Sequence, residues 1–222
     1  MAPCSGIAAE REEKAMDDPA LKSCADFTGA LASKAPTPGG GGAAALTGAL
    51  CAALCAMAAG LTLGKKKFAA AEGEVFQIAE RAEALRRCFL ALMAGDEAAF
   101  APLSRVYAMD KTAPGYEATR RAASLAACLP PLEMLRRCGE VLPLLERMHA
   151  IGNPMLMSDV GCAAALCAGA MRAASMNVYV NTRSLKGDGE ADRINRETGA
   201  LLKEFVPRAE KLSAAVTEYL EG

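Results

Sequence analysis

From Ala43 to Leu63 the chain carries no charged residue. Within that run Leu46, Leu50, Leu54, Met57 and Leu61 recur at intervals of three and four, which sets a bulky apolar stripe on one side of a helix. Ala and Gly fill most other positions, so a neighbouring helix can approach closely. A second small-residue run extends from Val160 to about Val180, with Ala163, Ala164, Ala165, Gly169, Ala173 and Ala174. The two runs are expected to pack small face to small face. At about 30 Å the first is long enough to cross a bilayer. Alanine adds little to insertion, so the run is read as a buried central helix of a soluble protein with no membrane partner.

The remaining pattern is also helical. Pro19 to Ala35 predicts a first helix, stopped by Pro36-Thr37-Pro38. Val75, Ile78, Ala82, Leu85, Phe89 and Leu92 mark an amphipathic helix over 68–94. Gly95 is placed to close it, and Asp96 to cap a short helix toward Tyr107. Tyr116 to Cys128 predicts another helix, ended by Pro130-Pro131. Leu132 to Ile151 follows, with Pro143 kinking or breaking it, then a turn at Gly152-Asn153-Pro154. A last helix carries Ile194, Leu201, Phe205, Leu212, Val216 and Leu220, bent at Pro207. The brief stretch Asn177-Val178-Tyr179-Val180 is the one strand candidate. The fold class is therefore all-α: a single bundle of about seven or eight helices around two buried Ala/Gly-rich central helices. Residues 19–222 form the domain. Residues 1–18 read as a frayed or weakly helical leader, and the charges from Glu10 to Lys14 argue against a signal peptide.

Charge narrows the function classes. Twenty-five Lys and Arg balance 26 Asp and Glu, so nothing draws the whole molecule to nucleic acid. Nine cysteines are an odd count with no CxxC pair, and there is one His. They read as small buried residues in a reducing, cytoplasmic setting, with no metal site.

Four groups of residues are candidates for chemistry. Pro38-Gly39-Gly40-Gly41-Gly42 leads directly into the most apolar helix. The glycines permit close ligand approach, and the free N–H groups of a helix start suit an anion or a carbonyl-rich ring. The spacing is that of neither a Walker loop nor a dinucleotide fingerprint. Lys65, Lys66 and Lys67 are either a solvated helix junction or a cationic mouth for a carboxylate-bearing substrate. Asp96, beside Glu97, is a helix cap or a general acid whose pKa Lys111 could perturb. Asn153, Ser158, Asp159, Asn177 and Asn181 place amides and a carboxylate near an apolar segment, where they need partners and could line a polar pocket.

These motifs, in this order, resemble the formiminotetrahydrofolate cyclodeaminase/methenyltetrahydrofolate cyclohydrolase family. The resemblance rests on Pro36-Thr37-Pro38-Gly39-Gly40-Gly41, Leu61-Thr62-Leu63-Gly64-Lys65-Lys66-Lys67-Phe68, Asp96 four before Phe100, Gly152-Asn153 with Ser158-Asp159, and Asn177-Val178-Tyr179-Val180-Asn181. It implies an all-helical homodimer acting on a tetrahydrofolate derivative, with no further cofactor. By it Asp96 is the catalytic acid. The lysines would hold the glutamate carboxylates, and Asp159, Asn177 and Asn181 would hydrogen-bond the pterin. The expected reaction is cyclodeamination of 5-formiminotetrahydrofolate to the 5,10-methenyl compound and ammonia. The alternatives are hydrolysis of that methenyl compound to 10-formyltetrahydrofolate, or folate binding without turnover. The family's glycine run usually ends in serine, where this chain has Gly42.

Overall fold

Alanine- and leucine-rich runs separated by turn residues dictate helices, and the computed structural model describes residues 18–222. Among the described residues there are six α-helices and no strand: α1 (Cys24–Leu31), α2 (Gly40–Gly60), α3 (Glu72–Tyr107), α4 (Tyr116–Ile151), α5 (Met157–Thr182) and α6 (Gly189–Glu221). Short 3-10 turns at Pro19–Leu21, Lys66–Ala71 and Pro154–Leu156 join them. The expected leader lies outside the described residues except for Asp18, whose side chain caps the first turn.

The count falls to six because the expected breakers lie inside long helices. Gly95 and Asp96 belong to α3, and Pro130, Pro131 and Pro143 to α4, while Pro207 lies within α6, a single helix as expected. A helix-interior proline costs about 3 kcal/mol. These helices are packed along their length, and Leu132, Met134 and Leu135, just past the proline pair, are almost fully buried. Burial of about 1.5–3 kcal/mol per large side chain offsets the lost backbone bond. The same packing takes Asn177 to Val180 into α5 as helix, not strand. The first expected helix shrinks to Cys24–Leu31, which Ser23 caps through the Asp26 N–H.

Successive long helices run antiparallel, and paired contacts fix their register. A Cβ on Gly41 would meet the Asp96 carboxylate and one on Gly48 would meet Phe89, seven residues on in α2 and seven back in α3. Glu74 and Arg147 join α3 to α4 with hydrogen bonds of 2.6 and 2.9 Å. In α5 and α6, Gly161 lies against Val216, and Thr182 donates to Asn195 at 2.9 Å.

The bulky stripe of α2 is turned outward and its small face into the core. Leu50, Met57 and Leu61 are 49%, 39% and 49% exposed, while Ala45, Ala52, Cys55 and Ala59 are fully buried. The small face lets α3 and α5 approach so closely that larger side chains fit only outside. α2 and α5 do pack small face to small face, as expected. Gly48 shows how tight the contact is: a Cβ there would lie 2.4 Å from buried Phe89. Gly48→Ala is therefore expected to lower unfolding free energy by about 1–3 kcal/mol in urea titrations. Gly60→Ala, with open space around it, should be neutral or mildly stabilising.

Five cysteines (51, 55, 128, 138 and 167) are buried. Burial pushes the Cys55 and Cys128 thiols up to about 12, so they serve as inert small core residues.

Candidate active site

The glycine run is not a loop. Gly40, Gly41 and Gly42 form the first turn of α2, with extended Gly39 as its cap residue. No side chain caps this turn, which leaves its N–H groups facing outward at the positive end of the helix. Buried Pro38 anchors the entry: a Cβ on Gly42 would sit 3.5 Å from its ring and 3.7 Å from Phe27. These are ordinary contact distances, so there is room for a side-chain Cβ at position 42.

Two polar side chains converge on that turn because Gly40 and Gly41 have no Cβ. The Asp96 carboxylate, from α3, occupies the space beside Gly41, where a Cβ would fall 2.2 Å from Oδ2. The Asn177 amide, from α5, lies against Gly40, with Nδ2 3.3 Å from the corresponding Cβ position. Asn177 Nδ2 donates to the Ala173 carbonyl at 2.9 Å, which fixes the amide's direction.

Asp96 is half-buried and has no hydrogen-bond or ion-pair partner among the described residues. Burial, and secondarily the neighbouring Glu97 carboxylate, pushes its pKa up to about 6. It is not a helix cap, since it lies deep within α3. Lys111 is not the perturbing group: it is exposed, in the turn beyond Tyr107. A half-buried carboxyl of this kind can exchange a proton near neutral pH.

The other expected residues separate into two places. Asn181, one turn beyond Asn177, donates to the Ala127 carbonyl at 2.9 Å and lines a cavity with Lys111. Lys65, Lys66, Lys67, Asn153, Ser158 and Asp159 lie at the opposite end of the bundle. There the Asn153 N–H donates to Thr62 Oγ1 at 3.1 Å, and the Asn153 side chain caps the Pro154–Leu156 turn. Ser158 and Asp159 sit in the first turn of α5, whose cap residue is Leu156, so neither is its cap. The 21 residues of α2 hold the two ends about 30 Å apart. Within one copy the lysines are no mouth for the Asp96 site. The residues that the sequence did not single out are Tyr107, Tyr116, Arg120 and Arg183, which share the cavity of Lys111 and Asn181. They come from three separate stretches of chain, and no local motif joins them.

Known proteins resemble this chain in sequence and fold. The family model described as formiminotransferase-cyclodeaminase matches residues 23–200. A methenyltetrahydrofolate cyclohydrolase from Methylorubrum extorquens is 40% identical over 182 residues, covering 80% of this chain and 88% of that protein. A formimidoyltransferase-cyclodeaminase from Mus musculus is 26% identical over 188 residues, 82% of this chain but only 35% of the mouse protein. The crystal structure of a formiminotetrahydrofolate cyclodeaminase from Thermotoga maritima superposes with a TM-score of 0.77. It is 26% identical, and the match covers 89% of this chain and 98% of that one.

Proposed function

Because the chain belongs to the formiminotransferase-cyclodeaminase family, we propose that it hydrolyses 5,10-methenyltetrahydrofolate to 10-formyltetrahydrofolate, with Asp96 as general base. The observation that carries this reading is the half-buried carboxyl of Asp96, seated beside Gly41 at the open first turn of α2 with its pKa pushed up to about 6. At pH 7 about nine in ten copies hold the carboxylate, the form a base requires. Asp96 takes a proton from the water as its oxygen bonds to the methenyl carbon. The hydroxyl so formed gives up its remaining proton and becomes the formyl carbonyl as the bond from that carbon to nitrogen 5 breaks; the electron pair of that bond stays on nitrogen 5, which gains a proton. The formyl group stays on nitrogen 10, and one proton is released overall. The N–H groups of Gly40 to Gly42 face the oxygen on which charge develops. Asn177 holds the pterin edge. Water and the folate suffice, so no cofactor enters.

The cyclodeaminase reading comes second, supported by the Thermotoga relative. There nitrogen 10 attacks the formimino carbon, and protonated Asp96 gives its proton to the departing ammonia. The pH profile separates the two. For the hydrolase, kcat/KM should rise about tenfold per pH unit up to about pH 6 and then level. For the deaminase it should fall as pH rises through about 6. A hydrolase profile that is flat from pH 5 to 8 would remove Asp96 from the role of base. The third reading, binding without turnover, drew on Gly42. Folate binding with no change in either substrate would favour it.

The protein is proposed to act as a homodimer. The exposed stripe of α2 has no charge, and pairing it antiparallel with the same stripe of a second copy gives a closed two-fold contact. The centre of the stripe, between Ala53 and Leu54, lies midway between Gly41 and Lys66. The same axis would therefore lay the lysine turn of each copy beside the glycine turn of the other. Leu50→Glu should give a monomer by light scattering with helix content unchanged. A wild-type monomer at assay concentration would overturn the dimer.

A further inference from the structure

α3 continues eleven residues past Asp96 to Tyr107, three full turns, so both side chains lie on the same face about 16 Å apart. Asn177 and Asn181 mark the same direction on α5. At the far end is an open cavity of about 490 Å³. It is lined by Tyr107, Lys111, Tyr116, Arg120, Asn181 and Arg183, and no acidic residue lines it. Arg120 is held in place: its guanidinium donates to Glu117 at 2.5 Å and to the Ser184 carbonyl at 3.0 Å. Lys111 and Arg183 are exposed and have no ion-pair partner among the described residues. Three cations and two phenol rings around one opening form a receptor for a carboxylate-bearing chain.

We infer that this cavity holds the α- and γ-carboxylates of the substrate's glutamate tail. The inference rests on the reading that the folate ring lies at Asp96. From there a benzoyl ring, one amide and an extended glutamate span about the 16 Å that separate Asp96 from Tyr107 at the cavity. Within one copy Lys65–Lys67 lie about 30 Å away along α2, so Lys111, Arg120 and Arg183 are that copy's cations within reach of a tail that starts at Asp96.

The test compares tetrahydrofolate with tetrahydropteroate, which lacks the glutamate, by calorimetric binding to the full chain. The wild type should bind tetrahydrofolate at least tenfold more tightly. In a Lys111→Ala, Arg183→Ala double variant that advantage should shrink to about twofold or less, with tetrahydropteroate affinity unchanged. Both residues are exposed, so the variant should keep its helix content. A Lys65→Ala, Lys66→Ala, Lys67→Ala variant should keep the wild-type advantage. An advantage that survives in the double variant, or vanishes in the triple one, would overturn the tail site and leave the folate reading standing. Failure of the wild type to bind either compound would overturn both.

Discussion

Asp96→Asn is expected to lower kcat/KM for the methenyl compound by about 10²- to 10⁴-fold, the range a positioned acid or base supplies. Asn keeps the shape of the side chain and removes only its ability to carry a proton at neutral pH. KM should change little if Asp96 acts on the reacting water and not on the bound ring. A second readout separates loss of chemistry from loss of fold. Burial raises the Asp96 pKa from the ordinary 3.8 to about 6, so the folded chain holds this proton more tightly than the unfolded chain. The charged form therefore costs stability, absent below about pH 4, growing as pH rises and complete above about pH 6. The Asn variant lacks that cost. It should melt at a higher temperature than wild type at pH 8 and at about the same temperature at pH 4. A variant that loses activity and also melts lower at pH 8 would mean that Asp96 serves the fold.

Gly41→Ala is expected to lose activity by about 10²-fold while the bundle stays folded. The new Cβ would fall 2.2 Å from Oδ2 and 2.3 Å from Oδ1 of Asp96, so the carboxylate must swing away. The obstacle is the far end of a side chain and not backbone, which keeps the effect on stability small. Displacing a proton-transfer group by about an ångström costs catalysis far more than folding. Gly42→Ala is the control, since its Cβ would meet Pro38 and Phe27 at ordinary contact distances of 3.5 and 3.7 Å. Steady-state rates and melting curves of the two variants check the pair. Equal losses in both would mean that the glycines serve the backbone of the turn and not the seat of Asp96.

Helical spacing made the all-α class legible, and the turn residues Gly152-Asn153-Pro154 ended a helix where expected. The inside of α2 was not legible. Its bulky and small residues both recur at helical intervals, and only the close approach of α3 and α5 decides that the small ones go inside. Proline positions misled in α4 because the local cost of a lost hydrogen bond is visible in sequence, whereas the burial that offsets it is not. At the site, Asp96, Gly41 and Asn177 were all singled out, and the structure brings them to one turn. Lys65 to Lys67 lie a helix length from Gly41 within one copy, because α2 links the two motifs in sequence and holds them apart in space. Arg120 and Arg183 carry no local signal, since their meaning depends on α4 and α5 crossing near Tyr107.

The most direct test is the absorbance of the 5,10-methenyl compound mixed with purified protein, beside an identical mixture without protein and one with Asp96→Asn. Protein-dependent loss of that absorbance, with 10-formyltetrahydrofolate as product and the variant near the blank, is the result this account predicts. Absorbance that stays at the blank, while the same protein produces the methenyl compound and ammonia from 5-formiminotetrahydrofolate, would contradict the hydrolase and make the chain a cyclodeaminase.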